Sequence, residues 1–241
     1  MIACLEDGSG ASLTPCVTWL LASSLPNLYV IEQQKSNATR TSIVPNFLMS
    51  RMQSLTEKNP WCQLYCSNRD GLSVNRFEHH VYAYKGPTVA LFSFENNLYA
   101  LATDCEWRES ISMWGSEGTV LMQLLPRFSF IDSGRIVYTN HHTRGVFKGI
   151  QIGSDYKSPV IKIADMATVE HYDVDLTLEQ VEVWGCANNS VRETQLKQRA
   201  WERKEVEKIH NRKLKLENWE ENPDRMLLDW VGINTNHNQR V

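Results

Sequence analysis

The sequence predicts an α+β fold, a two-sheet antiparallel β-sandwich with short flanking helices and a long C-terminal helix. Short runs of aliphatic and aromatic residues, separated by turn residues, follow one another between Trp61 and Gly185. Two of these runs, 89–92 and 119–125, are almost entirely apolar, which is typical of central strands covered on both faces. Beyond Gly185 no proline or glycine occurs until Pro223, so one helix of about 28 residues can form there.

The part of the chain before the strands carries helix signals. Residues 1–12 are expected to be disordered. Thr14 followed by Pro15 is the pattern of a capped helix start, and a second helix is expected to begin at Pro45. Residues 13–56 are therefore predicted to form an N-terminal helical segment.

Residues 57–187 are predicted to form the sandwich. Gly71 suits a turn with positive φ, and a short helix is expected to follow it. The dipeptide Asn96-Asn97 is expected to be a two-residue hairpin turn. Strands are predicted at residues 61–66, 88–94, 98–103, 119–125, 128–131, 136–138, 149–152, 160–163 and 180–184.

Charge is unevenly distributed along the chain. The net charge is −3, but residues 190–217 contain nine Lys or Arg and five Asp or Glu, a net charge of +4, so the remainder carries −7. The overall negative charge disfavours nucleic acid as a partner of the whole chain. The asymmetry indicates an acidic body and a distinct basic arm.

The cysteines and the hydropathy of the chain indicate the cellular compartment of the protein. The six cysteines, spread from Cys4 to Cys186, form no dense disulfide framework, so we expect reduced thiols in a cytosolic protein. The start has no secretory-signal pattern, and its most apolar run, Val17 to Leu25, is shorter than the roughly 20 residues that span a bilayer. We therefore expect a cytoplasmic protein.

The predicted charged helix, residues 188–218, begins with a capping-box pattern at Ser190 and Glu193. On a helical wheel its basic side chains form two stripes, and its apolar side chains do not gather into one face. One interpretation is a solvated helix held by its own ion pairs, and the other is an arm that binds an acidic partner. Interleaved glutamates disfavour nucleic acid. The candidate partner-binding residues are Arg192, Lys197, Arg199, Trp201, Arg203, Lys204, Lys208, Arg212 and Lys215. Residues 219–241 are predicted to form a short helix and a tail.

The sequence contains no complete catalytic or metal-binding motif. The pairs His79-His80 and His141-His142 are adjacent, whereas paired metal ligands on a helix are spaced i,i+4. No nucleophile elbow, phosphate loop or dinucleotide fingerprint occurs. We therefore expect a non-catalytic interaction protein with no catalytic residue, no metal ligand and no cofactor.

Motifs in a fixed order run through the predicted sandwich. They lie at residues 61–67, 70–73, 86–88, 102–108, 114–126, 149–153 and 181–185. Together they resemble the TLDc domain family. The positions that carry the resemblance are Trp61, Gly71, Gly86, Trp107, Trp114, Gly115, Gly153, Trp184 and Gly185. Of these, Trp107, Trp114 and Trp184 are expected to be buried anchors.

The resemblance implies function as well as fold. Members of the family are non-enzymatic; several bind the vacuolar proton-pumping ATPase, and others are tied to oxidative-stress resistance. The charged helix and the segment 221–225 are similar to the lysosome-associated, mTOR-linked branch, in which body and helix both engage the pump. The expected partners are therefore soluble-sector subunits of that ATPase and proteins of mTOR signalling. The expected location is the lysosomal surface, with membrane association only through partners.

An alternative function and two departures from the family pattern accompany this interpretation. The alternative is an oxidative-stress resistance factor, either an adaptor or a peroxide scavenger that uses thiols such as Cys62 and Cys105.

Residues 154–174 are shorter than the family's corresponding loop. The N-terminal half of the lysosomal branch, with its calcium-hand-like region and acylated start, has no counterpart, so we expect a short form or a C-terminal fragment.

Overall fold

The computed structural model describes residues 13–30, 61–210 and the three positions Leu227, Trp230 and Val231. The predicted disorder of residues 1–12, the helix expected from Pro45 and the charged helix beyond residue 210 lie outside the described residues. The chain divides into two compact units, 1–195 and 196–241.

The first described element is helix α1, Pro15–Ser24. Thr14 caps it as predicted, because its Oγ1 accepts a hydrogen bond from the Val17 N–H at 3.4 Å. Leu25 leaves the helix in an extended conformation, and a 3-10 turn, Asn27–Tyr29, follows.

Two six-stranded antiparallel sheets make up the sandwich in the described part of the chain, as the sequence predicts. The strands are β1 Cys62–Cys66, β2 Thr88–Phe94, β3 Asn97–Thr103, β4 Ser110–Trp114, β5 Val120–Leu125, β6 Ser129–Ser133, β7 Val137–Asn140, β8 Gly149–Ile152, β9 Ile161–Ile163, β10 Thr168–His171, β11 Val174–Thr177 and β12 Gln180–Gly185. The first sheet has the order β1-β12-β2-β3-β5-β6, and the second has the order β11-β10-β9-β8-β7-β4. The remaining helices are α2 Ser67–Asp70, α3 Val74–Val81 and α4 Asn189–His210.

The strands missed by the sequence prediction lie in the second sheet, whereas the edge strands of the first sheet, β1 and β6, were predicted. β4 and β11, the two edges of the second sheet, were not predicted, and neither was β10. Edge strands are half solvated and carry a weak apolar pattern; Ile111 of β4, for example, is exposed. The short segment 154–174 contains β9, which was predicted, and β10, which was not. The hairpin turn is Glu95-Asn96, one residue earlier than predicted, because Asn97 already pairs with Phe94.

The central strands of the first sheet are buried on both faces, which confirms the prediction for them. Ala90 and Phe92 of β2 face a core shared with second-sheet residues such as Ile150. Val89 and Leu91 face the opposite way, into a second cluster. The side chains of that cluster outside the sheet include Leu13, Val17, Leu21, Leu25, Tyr29 and Trp61. Helix α1 therefore covers the outer face of the first sheet.

Two of the three predicted tryptophan anchors are buried. Trp107 and Trp114 are 1% and 2% exposed, and their rings meet edge to face at 5.5 Å. Their indole N–H groups donate to the hydroxyls of Thr88 and Thr139. The Trp184 side chain is partly buried and packs against the second cluster, so it is less enclosed than the other two. Strand alternation turns it to the outer face of the first sheet, where its N–H donates to a Glu182 carboxylate oxygen at 3.0 Å.

The first turn of α4 belongs to the sandwich unit. The helix begins at Asn189, one residue before the predicted cap Ser190. Gln195 is 2% exposed, and its amide donates to the carbonyl oxygens of His80 and Tyr82 at 3.1 and 2.9 Å. Arg192 in turn donates to the Gln195 side-chain oxygen. These bonds attach the start of the helix to the C-terminal end of α3.

Candidate interaction surface and a carboxylate–histidine cluster

Large apolar side chains are exposed along α4 after Gln195. Trp201, Val206 and Ile209 are 63%, 66% and 68% exposed, and Leu196 is 51% exposed. On the helical wheel Trp201, Val206 and Ile209 fall within one sector, which we call the apolar strip. Its exposure indicates a surface suited to a partner.

Basic residues border the apolar strip on both sides. At about 100° per residue, Lys197, Lys204 and Lys208 share one edge, and Arg199 and Arg203 share the other. All of these side chains are exposed except that of Arg199, which is partly buried. Arg212 and Lys215, the other two predicted contacts on this helix, lie outside the described residues.

Two glutamates fall within the apolar strip. Each forms an i,i+3 ion pair with a cation at the border: Glu202 with Arg199 at 2.9 Å and Glu205 with Lys208 at 2.6 Å. Exposed pairs of this kind contribute little to stability. The strip therefore combines apolar contact area with charges of both signs and a basic rim.

A cluster of three ligand-type side chains lies on the sandwich unit. It consists of Glu78 on α3, Glu109 just before β4 and His142 just after β7, and their donor atoms all lie within 4.8 Å of one another. Phe77 contacts Trp107 at 5.2 Å, which holds α3 against the start of β4. The pairing of Ser110 with Thr139 brings Glu109 beside the end of β7.

The two carboxyl groups of this cluster interact with the backbone and with the histidine. Glu109 Oε1 accepts from the backbone N–H groups of His141 and His142 at 2.5 and 2.7 Å. His142 Nε2 lies 3.4 Å from Glu78 Oε2. Burial raises the pKa of Glu78; His142 opposes this shift and the nearby Glu109 adds to it.

A tyrosine–histidine pair is a second polar contact within the core. The Tyr99 hydroxyl lies 2.8 Å from His171 Nε2. Burial raises the pKa of Tyr99 to about 12, and burial lowers the pKa of His171. Both groups therefore favour their neutral forms, which suits a structural hydrogen bond better than proton transfer.

Three of the cysteines are poorly suited to nucleophilic chemistry. Burial raises the pKa of Cys62, Cys105 and Cys186, and for Cys105 the neighbouring Asp104 adds to the shift. A reactive thiol needs a lowered pKa and an electropositive setting. These environments disfavour the alternative of a thiol-based peroxide scavenger, whereas the adaptor version does not depend on the thiols.

A family comparison agrees with this architecture. The model of the TLDc domain matches residues 33–187. The chain belongs to the TLDc family. The TLDc match ends at the residue where the predicted domain ends, and it begins earlier than the predicted residue 57, in residues that the structure does not describe. No curated protein matches the chain.

Two glycines of the TLDc motifs lie where the chain packs closely around Tyr84. A Cβ atom on Gly185 would lie 2.6 Å from the Tyr84 hydroxyl oxygen, and one on Gly86 would lie 2.6 Å from the Ala187 Cβ. The Tyr84 hydroxyl also accepts a hydrogen bond from the Ala187 N–H at 3.0 Å. The glycines therefore allow β12 and the segment before β2 to pack around one tyrosine.

Sequence reasoning anticipated the basic helix and missed the carboxylate–histidine cluster. The helix surface follows from local periodicity, which can be calculated from the sequence. Glu78, Glu109 and His142 are far apart in the chain and share no motif, so only the fold brings them together. Arg192, predicted with the partner-binding set, is half-buried and bonded to Gln195.

Among the described helices, none is long and apolar enough to cross a membrane.

Proposed function

We propose that this TLDc protein is a non-catalytic interaction protein that binds and regulates the vacuolar proton-pumping ATPase. Binding takes place through soluble-sector subunits of the pump, at the cytoplasmic surface of lysosomes. Proteins of mTOR signalling are further proposed partners.

The observation that carries the proposal is the exposed apolar strip with its basic rim. Trp201 is 63% exposed at the edge of the strip that the lysines border, and tryptophan is among the residue types enriched at binding hot spots. A basic rim suits an acidic subunit surface, because complementary charge speeds association and orients the partners. The resemblance of this helix to that of the pump-binding, lysosome-associated branch supports the same partner.

The contacts of Gln195 indicate at which residue a deletion of the helix can begin without damage to the sandwich unit. Its two hydrogen bonds belong to the sandwich unit, so a deletion that begins at residue 190 would damage that unit. Deletion of residues 196–241 retains Gln195. We expect this shortened chain to fold and to lose most of its affinity for the pump.

The test is co-purification of the tagged full chain with the soluble sector of the ATPase. Substituting Lys197, Lys204 and Lys208 with glutamate should weaken binding by at least about tenfold and reduce its salt sensitivity. Trp201→Ala should weaken binding by about tenfold or more.

A matched control separates local contact from net charge. Arg127, Arg144 and Lys157 are exposed cations on the sandwich unit, and their substitution with glutamate changes the net charge equally. This control should bind as the parent does. If both triple variants lose affinity together, binding depends on overall charge and the helix is a solvated tail.

A further inference from the structure

We propose that Glu78, Glu109 and His142 bind a divalent first-row transition-metal ion such as Zn²⁺. The proposal is independent of pump binding. It replaces the sequence-based expectation that the chain has no metal ligand, because the three donors come from separate parts of the fold.

The geometry is close to that of a bound ion. The donor atoms lie within 4.8 Å of one another, whereas ligands at about 2.0–2.2 Å from one Zn²⁺ lie about 3–4 Å apart. The His142 side chain is 68% exposed, so a small rotation of its ring can close the set. Glu109 is already held in place by the two backbone N–H groups that it accepts from.

The local electrostatics favour a cation. Two carboxyl groups face each other here with one exposed imidazole between them and solvent. The second oxygen of Glu109, Oε2, is buried, and the Tyr82 side chain is within hydrogen-bonding reach of the Glu109 carboxyl group. A divalent ion would neutralise both carboxylates.

The donor types select the class of metal. Calcium and magnesium prefer sites built wholly from oxygen, whereas one imidazole nitrogen and two carboxylate oxygens suit Zn²⁺ and its neighbours. Three protein ligands leave a coordination position for water or for a group from a partner. A bound ion would also link α3, the start of β4 and the segment after β7.

The experiment uses the full chain, stripped of metal with a chelator and titrated with Co²⁺ as a spectroscopic substitute for Zn²⁺. We expect one high-affinity Co²⁺ per chain, with visible bands of nitrogen and oxygen ligation and no thiolate charge-transfer band. Zn²⁺ should displace the Co²⁺, and an excess of Ca²⁺ should not. His142→Asn and Glu109→Gln should each weaken binding by at least about tenfold.

His79→Asn is the matched control, because His79 is an exposed histidine beside Glu78 on the same helix and is outside the cluster. Its Co²⁺ affinity should equal that of the parent. Circular dichroism of each metal-free variant checks folding. If Glu109→Gln does not fold, His142→Asn decides the question, since an exposed side chain can be replaced without loss of the core. Absence of binding, binding unchanged in His142→Asn, or a thiolate band would overturn the proposal.

Discussion

The core of the sandwich and the charged helix differ in the burial of their large apolar side chains. In the core, tryptophans such as Trp107 are enclosed and their N–H groups are bonded, and both faces of the central strands of the first sheet are covered. On α4 beyond Gln195, Trp201 and Ile209 are mostly exposed among charges. Apolar residues of one chain can therefore have two different roles. Those of the sandwich stabilise the fold, and those of the helix are available for recognition.

A tryptophan series is the strongest test of this comparison. Trp107→Ala removes a fully buried ring and should cost about 3–5 kcal/mol of unfolding free energy. Trp201→Ala removes an exposed ring and should change stability by less than about 0.5 kcal/mol. Trp184→Ala should fall between them, because that ring is half-buried. Urea unfolding of the three variants gives the order, and equal losses at Trp107 and Trp201 would remove the distinction between the two regions.

The boundary between the regions can be tested with two glutamines of α4. Gln195→Ala leaves the carbonyl oxygens of His80 and Tyr82 without their amide donor and should cost about 1–3 kcal/mol. Gln198→Ala, one turn further along and exposed, should be nearly neutral. Thermal unfolding of both variants measures the difference. A neutral Gln195→Ala would show that the whole helix, including its first turn, is separate from the sandwich.

The close packing at Gly185 gives a third test. Gly185→Ala introduces a methyl group 2.6 Å from the Tyr84 hydroxyl oxygen and should cost about 1–3 kcal/mol through overpacking. Combining it with Tyr84→Phe should not relieve the crowding, because the ring atom Cζ of Tyr84 lies equally close, at 2.6 Å, and the Ala187 N–H would lose its acceptor. Denaturant midpoints of the single and double variants provide the measurement, and an unchanged midpoint for Gly185→Ala would contradict the packing around Tyr84.

From the raised pKa values of two thiols we expect a smaller effect, a loss of folding stability at alkaline pH. Burial raises the pKa of Cys62 and Cys186 above the usual value of 9.0, so the folded chain keeps protons that the unfolded chain loses. Stability from this source is fully present below that pH and falls as the pH rises above it. The loss is at most about 1.4 kcal/mol per pH unit for each thiol. Cys186→Ala should flatten this slope, and substitution of the exposed Cys16 should not.

The sequence predicted the parts of the fold whose signal is local. The run Thr88–Phe94 is a strand at the predicted residues because a central strand is apolar on both faces. Strands β4 and β11 were missed, because nearly all of their side chains are at least partly exposed and form no regular apolar pattern. Trp184 is less buried than Trp107 and Trp114, and the sequence does not reveal this difference, because a tryptophan on a strand shows its size and not which face of the sheet it occupies. The carboxylate–histidine cluster was missed for a related reason, since its members meet only through tertiary contacts.

The position of β12 has a consequence for how the chain is made. This strand lies between β1 and β2 and pairs with both, so the first sheet is assembled from the two ends of the domain. A ribosome releases β1 long before it releases β12, and until then β1 and β2 have exposed edges with no strand between them. Such edges attract the strands of other chains. We therefore expect the nascent chain to need protection until Gly185 has emerged, and the domain to fold late in its own synthesis.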